Sequence, residues 1–263
     1  MRLARTPGSP RLRRGGGSLS DRIIWLGHAT ALIELGPLAV LTDPVLRGRI
    51  IHLRRHVPPA APPGRLDAVL LSHLHLDHAD GPSLRQLPPS APVLVPAGAG
   101  RLVRRLGARE VVELRAGDSV PLAGGTVTAV PAAHEGGRSP LHTRVEALGF
   151  VVERGRRVYF AGDTDLFDGM AELGPLDVAL LPIWGWGPSI GPGHLDPRAA
   201  ARAVGLLSPR VVVPIHWGTY LPFGYRRGHR LLRGPGPEFA AHVAELAPET
   251  RVALLHPGET LEL

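Results

Sequence analysis

Residues Ser72-His73-Leu74-His75-Leu76-Asp77-His78 place three histidines and one aspartate within six positions, directly after a short apolar run. Packing has no use for imidazole and carboxylate at that density, whereas a zinc ion is bound by these donor types. The sequence contains no cysteine. Disulfides, thiolate zinc sites and thiol nucleophiles are therefore excluded together, and any metal must be held by His, Asp or Glu. Further metal-type residues follow other apolar runs. His134 comes after Val130-Pro131-Ala132-Ala133, Asp163 after Tyr159-Phe160-Ala161-Gly162, and His216 after Val211-Val212-Val213-Pro214-Ile215. Three strands are expected each to release one such side chain at the C-terminal end. There a rigid strand fixes the ligand and the next loop leaves room for a substrate.

The elements that must position these residues are short. Strand-like runs at 22–26, 31–35 and 38–42 are punctuated by Gly27 and Gly36-Pro37. The Arg- and Pro-rich stretch 47–66 reads as a loop, and 67–71 as a compact strand ending at the histidine cluster. Helices are expected at 82–87, 98–106, 166–173, 197–207 and 238–246. Strands are expected at 93–95, 111–114, 126–131, 147–153, 157–161, 178–181, 211–215 and 252–255. Strand-rich halves with helices outside, without strict βα alternation, predict an α/β fold, a four-layer αββα sandwich. No internal linker or short-period repeat is visible, so 21–263 is expected to be a single domain. The Pro/Gly-rich stretches 184–194 and 218–237 read as functional loops beside apolar strands.

Bulk properties bound the function. The 263 residues are 44% hydrophobic and 20% charged, with a formal charge of +7. All 30 basic residues are Arg, alongside 33 Gly and 28 Pro, and five of the Arg lie in the first 14 positions. A basic surface for anionic partners and a compositional drift toward Arg both explain this excess. Residues 1–20 read as a disordered basic tail. Arg13-Arg14 leads into Gly15-Gly16-Gly17-Ser18 rather than an apolar stretch, so no signal peptide is expected. No apolar run approaches the ~20 residues of a membrane span. The expected compartment is the cytoplasm.

The H-x-H-x-D-H cluster, the later His134, Ala161-Gly162-Asp163 and Pro214-Ile215-His216-Trp217-Gly218-Thr219 together resemble the metallo-β-lactamase-fold hydrolases over about residues 22–263. The chain is most similar to the branch containing N-acylphosphatidylethanolamine phospholipase D and the ascorbate-6-phosphate lactonases. The stretches that carry this are Trp25-Leu26-Gly27-His28-Ala29-Thr30, Leu41-Thr42-Asp43-Pro44 and His194-Leu195-Asp196-Pro197. The resemblance implies two zinc ions, with Mn²⁺ or Fe²⁺ as alternatives. His73, His75 and His134 would hold the first ion, Asp77, His78 and His216 the second, and Asp163 would bridge them. Oxygen-reducing di-iron members of the fold carry Glu at the second cluster histidine; His75 here favours hydrolysis.

The chemistry implied is attack by a bridging hydroxide, because metal binding lowers the pKa of water to about 7. Two divalent ions, two aspartates and one hydroxide leave a net positive charge that suits an anionic transition state. A phosphodiester-like substrate is the first expectation and a lactone or sugar-phosphate lactone the second. A catalytically silent, metal-stabilised binding or sensor protein is the alternative from another class. The expected partner is a small anionic or ester-type substrate rather than nucleic acid. No amphipathic membrane-binding helix is evident, which speaks against a membrane lipid.

Several residues around the ligands acquire expected roles. Asp43, in Thr-Asp-Pro, would accept a hydrogen bond from a ligand histidine, or simply form a turn. His28 would lie near the site or serve its turn. Asp196 and Pro197 suit the N-cap and first position of the next helix, which leaves His194 unexplained. In the resembled branch the matching histidine faces substrate, so His194 joins Asp77 as a catalytic candidate, polarising the scissile group or protonating the leaving oxygen. Trp184, Trp186, Tyr220 and Arg226 are candidate substrate contacts, the last from a loop that mixes aromatic and Arg side chains. His52, His56, His142, His229, His242 and His256 read as ordinary surface or loop residues.

Overall fold

The computed structural model describes residues 20–58, 61–137, 145–225 and 228–263. The basic tail, apart from Ser20, lies outside them. In the first half, β1 (Arg22–Gly27), β2 (Thr30–Leu35) and β3 (Leu38–Thr42) form a meander. The short β4 (Arg49–Ile50) and β5 (Leu53–Arg55) follow, then β6 (Ala68–Leu70), α1 (Gly81–Leu84), β7 (Val93–Pro96), α2 (Gly100–Leu106) and β8 (Val111–Leu114). The second half opens with β9 (Ser119–Leu122), β10 (Gly125–Glu135), β11 (Glu146–Arg154) and β12 (Arg156–Phe160). It continues with β13 (Val178–Pro182), α3 (Pro197–Leu207), β14 (Val211–Ile215), β15 (Tyr220–Pro222), α4 (Gly228–Arg233), α5 (Pro235–Leu246), β16 (Arg251–Val252) and β17 (Thr260–Glu262).

The strands make two seven-stranded sheets, ordered β17-β1-β2-β3-β6-β7-β8 and β16-β14-β13-β12-β11-β10-β9. Each joins an antiparallel meander to a run of parallel strands: β3, β6, β7 and β8 in one, β12, β13, β14 and β16 in the other. The parallel strands β6, β7 and β13 are buried at every position, as strands covered on both faces must be. β1 alternates buried and part-exposed residues, the pattern of a strand with one buried face.

Between the sheets lies one apolar core, in which Ile23, Ile33, Leu38 and Val40 meet Val127, Phe150, Val152 and Phe160. Leu84, Leu87 and Val103, from the α1 and α2 region, cover the outer side of the first sheet on Leu41, Val69 and Val95. Ala200, Val204, Phe239 and Val243, from α3 and α5, cover the second. The layering is αββα.

Local chemistry sets the helix ends. Asp196 accepts from the Ala199 N–H at 2.7 Å, Pro197 opens α3, and Ser208 closes it in a left-handed conformation. Asp80 caps α1 through the Ser83 N–H. The helix expected at 82–87 spans Gly81–Leu84 with Arg85 as its C-cap, and Pro88 disfavours helical backbone at Leu87, its expected last residue. The helix expected at 166–173 is a 3-10 segment, Asp168–Leu173, which contains Gly169 and ends at Gly174-Pro175. The stretch expected as a loop at 47–66 contains the β4–β5 hairpin, which joins β15 in a separate three-stranded sheet. Of the last expected strand, 252–255, only Val252 is in a strand, the two-residue β16.

Asp43 follows β3 and Ser72 closely follows the parallel β6, so both sit at one C-terminal edge. Asp163 and His216 follow β12 and β14, which run parallel to β13, at the corresponding edge of the other sheet. Backbone bonds lash the two edges together: Leu148 N–H to Ser72 O at 2.9 Å, Leu74 N–H to Gly136 O at 2.9 Å and His216 N–H to His28 O at 2.9 Å. Gly162 makes the closest approach. Its φ is +63° and a Cβ there would lie 2.5 Å from Ser72 Cβ. Gly162→Ala is expected to cost roughly 1–3 kcal/mol through strain and overpacking, read as a lower Tm. An unchanged Tm would show that the two edges part freely.

Candidate metal centre

The residues flanking the two sheet edges converge. Among the described residues, His73, His75 and His134 bring one ligand atom each within 4.8 Å of one another, and so do His28, Asp77, His78 and His216. His134 was expected after its strand. Instead β10 runs on to Glu135, and a shift of register against β11 between Pro131 and Glu135 turns His134 toward the cluster. His134 Nε2 stands 3.3 Å from His75 Nδ1. His78 Nε2 stands 3.1 Å from His216 Nε2. Asp163 lies between the groups, with Oδ2 3.8 Å from His73 Nε2 and 3.1 Å from His78 Nε2, and Oδ1 3.3 Å from His216 Nε2.

The far nitrogens of the rings are committed elsewhere. His134 Nδ1–H donates to Gly193 O at 2.8 Å and His216 Nδ1–H to Trp184 O at 2.8 Å. His78 Nδ1–H donates to Asp43 Oδ2 at 2.7 Å. Ser72 Oγ lies 2.5 Å from the same Oδ2 and 2.9 Å from His73 Nδ1. Asp43 can only accept, so the Ser72 hydroxyl donates to it and takes the His73 Nδ1 proton in turn. One buried carboxylate thus orients His78 directly and His73 through Ser72, turning both Nε2 atoms toward the centre. The Ser72 N–H completes the arrangement on Asp43 Oδ1 at 2.8 Å.

The electrostatics follow from burial and crowding. Burial, with neighbouring His78, holds His73 well below the usual histidine range, and burial takes His134 down to about 4. Burial and His78 also lower His75. Burial opposes charge on Asp77 and Asp163, but the imidazoles around them outweigh it and keep both well below the usual carboxylate range. Burial opposes a charged His78 too; Asp163, Asp43 and Asp77 override it and raise that ring well above its ordinary value.

This arrangement calls for cations. His73 Nε2 and Asp163 Oδ1 are buried without a hydrogen-bond partner, a costly state for polar atoms. His78 and His216 each spend their Nδ1 proton on an acceptor, so their Nε2 atoms face one another across 3.1 Å and need a proton or a cation between them. A shared cation relieves both conflicts. The all-N/O donor set suits zinc, manganese or iron, and the residues present fit two divalent ions.

The mouth is a cavity of about 270 Å³ lined by His75, Asp77, Asp163, Trp186, Ile190 and His194, with His216 and loop glycines. His194 Nδ1 is within 3.2 Å of Gly191 O and 3.1 Å of Pro192 O, and Nε2 is 3.5 Å from Asp163 Oδ2. Burial opposes its charge, but Asp163 raises it. Trp186 walls the cavity and donates Nε1–H to Asp77 Oδ2 at 3.1 Å. Its ring meets His52 edge-on at 5.2 Å, a contact that the sequence reading of His52 as an ordinary loop residue missed.

Two expected substrate contacts are placed elsewhere. Tyr220 is 2% exposed, donates its hydroxyl to Arg47 O at 2.6 Å and meets His28 edge-on; β15 buries it under the β4–β5 hairpin. Trp184 donates to Gly187 O and lines a different cavity with Arg230 and Arg233. Arg226 lies outside the described residues. Sequence reasoning also missed Ser72 and Thr219, although both adjoin the motifs that were read, and the carbonyls of Trp184 and Gly193, which no side-chain pattern announces.

Asp43→Ala is expected to weaken metal binding roughly 10–100-fold, because it releases His73 and His78 together. Chelator-competition titration measures this. Unchanged affinity at both positions would remove Asp43 from the account.

A family model described as Beta-lactamase superfamily domain matches residues 39–217. A protein of Rubrobacter xylanophilus described as a UPF0173 metal-dependent hydrolase is 35% identical over 260 residues, 91% of this chain and 96% of that one. An N-acyl-phosphatidylethanolamine-hydrolyzing phospholipase D of Caenorhabditis elegans is 33% identical over 229 residues, 76% of this chain and 64% of that one. A solved metallo hydrolase from Ignicoccus hospitalis superposes with a TM-score of 0.69 at 24% identity, covering 93% of this chain and 98% of its own. The chain belongs to the β-lactamase superfamily and is a metal-dependent hydrolase.

Proposed function

We propose that the protein is a dinuclear zinc hydrolase acting on a phosphodiester-like substrate. The position of Asp163 carries this reading, because its two oxygens face ligand nitrogens of both groups. His73, His75 and His134 would hold one ion, Asp77, His78 and His216 the other, with Asp163 between. Manganese or iron fits the same donors. When bound, such a pair supplies Lewis acidity and a water that loses its proton near neutral pH.

The chain's own residues do the remaining work. Asp43 and Ser72 keep the Nδ1 protons of His78 and His73 away from the centre. The Trp184 and Gly193 carbonyls fix the rings of His216 and His134. His194 turns Nε2 into the cavity, where it can orient the scissile group and hand a proton to the leaving oxygen. Trp186 and Ile190 give the cavity an apolar wall against the substrate's flank. The name of the nematode relative, whose substrate is a phosphodiester, supports this choice of bond. A second reading, a lactone, is favoured by the small cavity and its lining of His, Asp, Trp, Ile, Ser and Gly, which suits a compact neutral ring.

Bis(p-nitrophenyl) phosphate and a lactone panel distinguish the two. Turnover of the phosphodiester is expected, abolished by dialysis against chelator and restored by Zn²⁺ or Mn²⁺. Turnover of lactones alone would select the second reading, and none of either would leave a silent binding protein. His194→Ala is expected to lower kcat roughly 10²–10⁴-fold with metal content unchanged. Full turnover would remove its role, and lost metal would make it structural.

A further inference from the structure

Four groups crowd the second half of the centre: His28, Asp77, His78 and His216. We propose that His28 is not a ligand but a positioning residue, donating Nε2–H to Asp77 Oδ2 and fixing that carboxylate against His78 and His216. This rests on the dinuclear reading above and divides the cluster into three ligands and one donor.

The geometry supports the division. His28 Nε2 lies 3.1 Å from Asp77 Oδ2. That oxygen is also the one nearest the two ligand rings, 3.8 Å from His78 Nε2 and 3.7 Å from His216 Nε2. An ionised carboxylate only accepts, so the shared proton sits on the histidine. A nitrogen that carries a proton has no lone pair for a metal.

His28 is also built to stay where it is. Its backbone has φ +54°, in the left-handed region. Its N–H donates to Thr219 Oγ1 at 2.8 Å. Its carbonyl accepts from Trp25 Nε1–H at 2.9 Å and from the His216 N–H at 2.9 Å. Tyr220 abuts the ring edge-on at 5.5 Å and His216 lies 4.0 Å away. The β1–β2 turn therefore presents a fixed N–H to a carboxylate on the loop after β6. The other donor to Asp77 Oδ2, the Trp186 indole, belongs to the cavity wall. Asp77 is thus held between an immobile donor and one that a substrate can press on.

Two variants test this. His28→Gly removes the donor, and glycine adopts φ +54° without strain. His28→Gln can return an amide N–H at similar reach. The readouts are the affinity of each ion by chelator-competition titration, the absorption spectrum of the Co²⁺-loaded protein, and the Tm of the metal-free chain as a folding control. His28→Gly is expected to bind one ion as the wild type does and the other roughly 10–100-fold more weakly. His28→Gln is expected to recover that affinity with an unaltered Co²⁺ spectrum. If His28→Gln is as weak as His28→Gly and its spectrum changes, His28 is a ligand and the proposal is overturned. If His28→Gly binds both ions normally, His28 serves only its turn, which also overturns it. A wild-type chain that binds fewer than two ions is a separate failure, of the dinuclear reading, and takes this assignment with it.

Discussion

A single buried carboxylate, Asp43, decides where protons sit on two histidines of the centre. It accepts a hydrogen bond from His78 Nδ1–H directly and orients His73 Nδ1–H through Ser72. Without this, either ring is free to carry its proton inward, where it repels a cation. The consequence is a cluster that is unsatisfactory alone: ring nitrogens crowd each other at 3.1 Å, and Asp163 Oδ1 and His73 Nε2 are buried without a hydrogen-bond partner. Desolvating such groups costs several kcal/mol each unless charge compensates. Cations held there would reverse its sign. A fixed array of donors also costs nothing to reorganise when charge develops on a substrate.

The fold exists to hold that array still. Both sheets end their parallel strands at one edge, and the ligand loops leave from there. Each loop is then tied to the opposite half, His216 to the His28 carbonyl and Leu148 to the Ser72 carbonyl. The loop from Trp184 to His194 is fastened to three residues of the cluster, through the Trp184 and Gly193 carbonyls and the Trp186 indole. Anything that moves this loop therefore moves His134, His216 or Asp77, so the cavity wall and the geometry of the cluster are linked by hydrogen bonds.

Much of this was legible in the residues. The density of His and Asp at 73–78, and the placement of Asp163 and His216 after apolar runs, follow from chemistry that packing cannot mimic. The α3 cap was readable because Asp196-Pro197 has one local meaning. The illegible parts were non-local. Tyr220 reads as a loop aromatic until β15 buries it beneath a hairpin whose strands are two and three residues long. The bulge that turns His134 inward leaves no turn residue behind it. The meander-plus-parallel order common to both sheets has no sequence repeat, because each sheet meets a different helical layer. His28 could be placed near the site but not given a role, since its partner is 49 residues away.

The central claim is that these residues form one two-metal centre. Anomalous diffraction from crystals of the zinc-loaded protein, recorded across the zinc absorption edge, tests it most directly. Two peaks are expected, about 3.5–4 Å apart. One should be bounded by His73, His75 and His134, the other by Asp77, His78 and His216, with Asp163 between them. A single peak, or none within this cluster, would contradict the account.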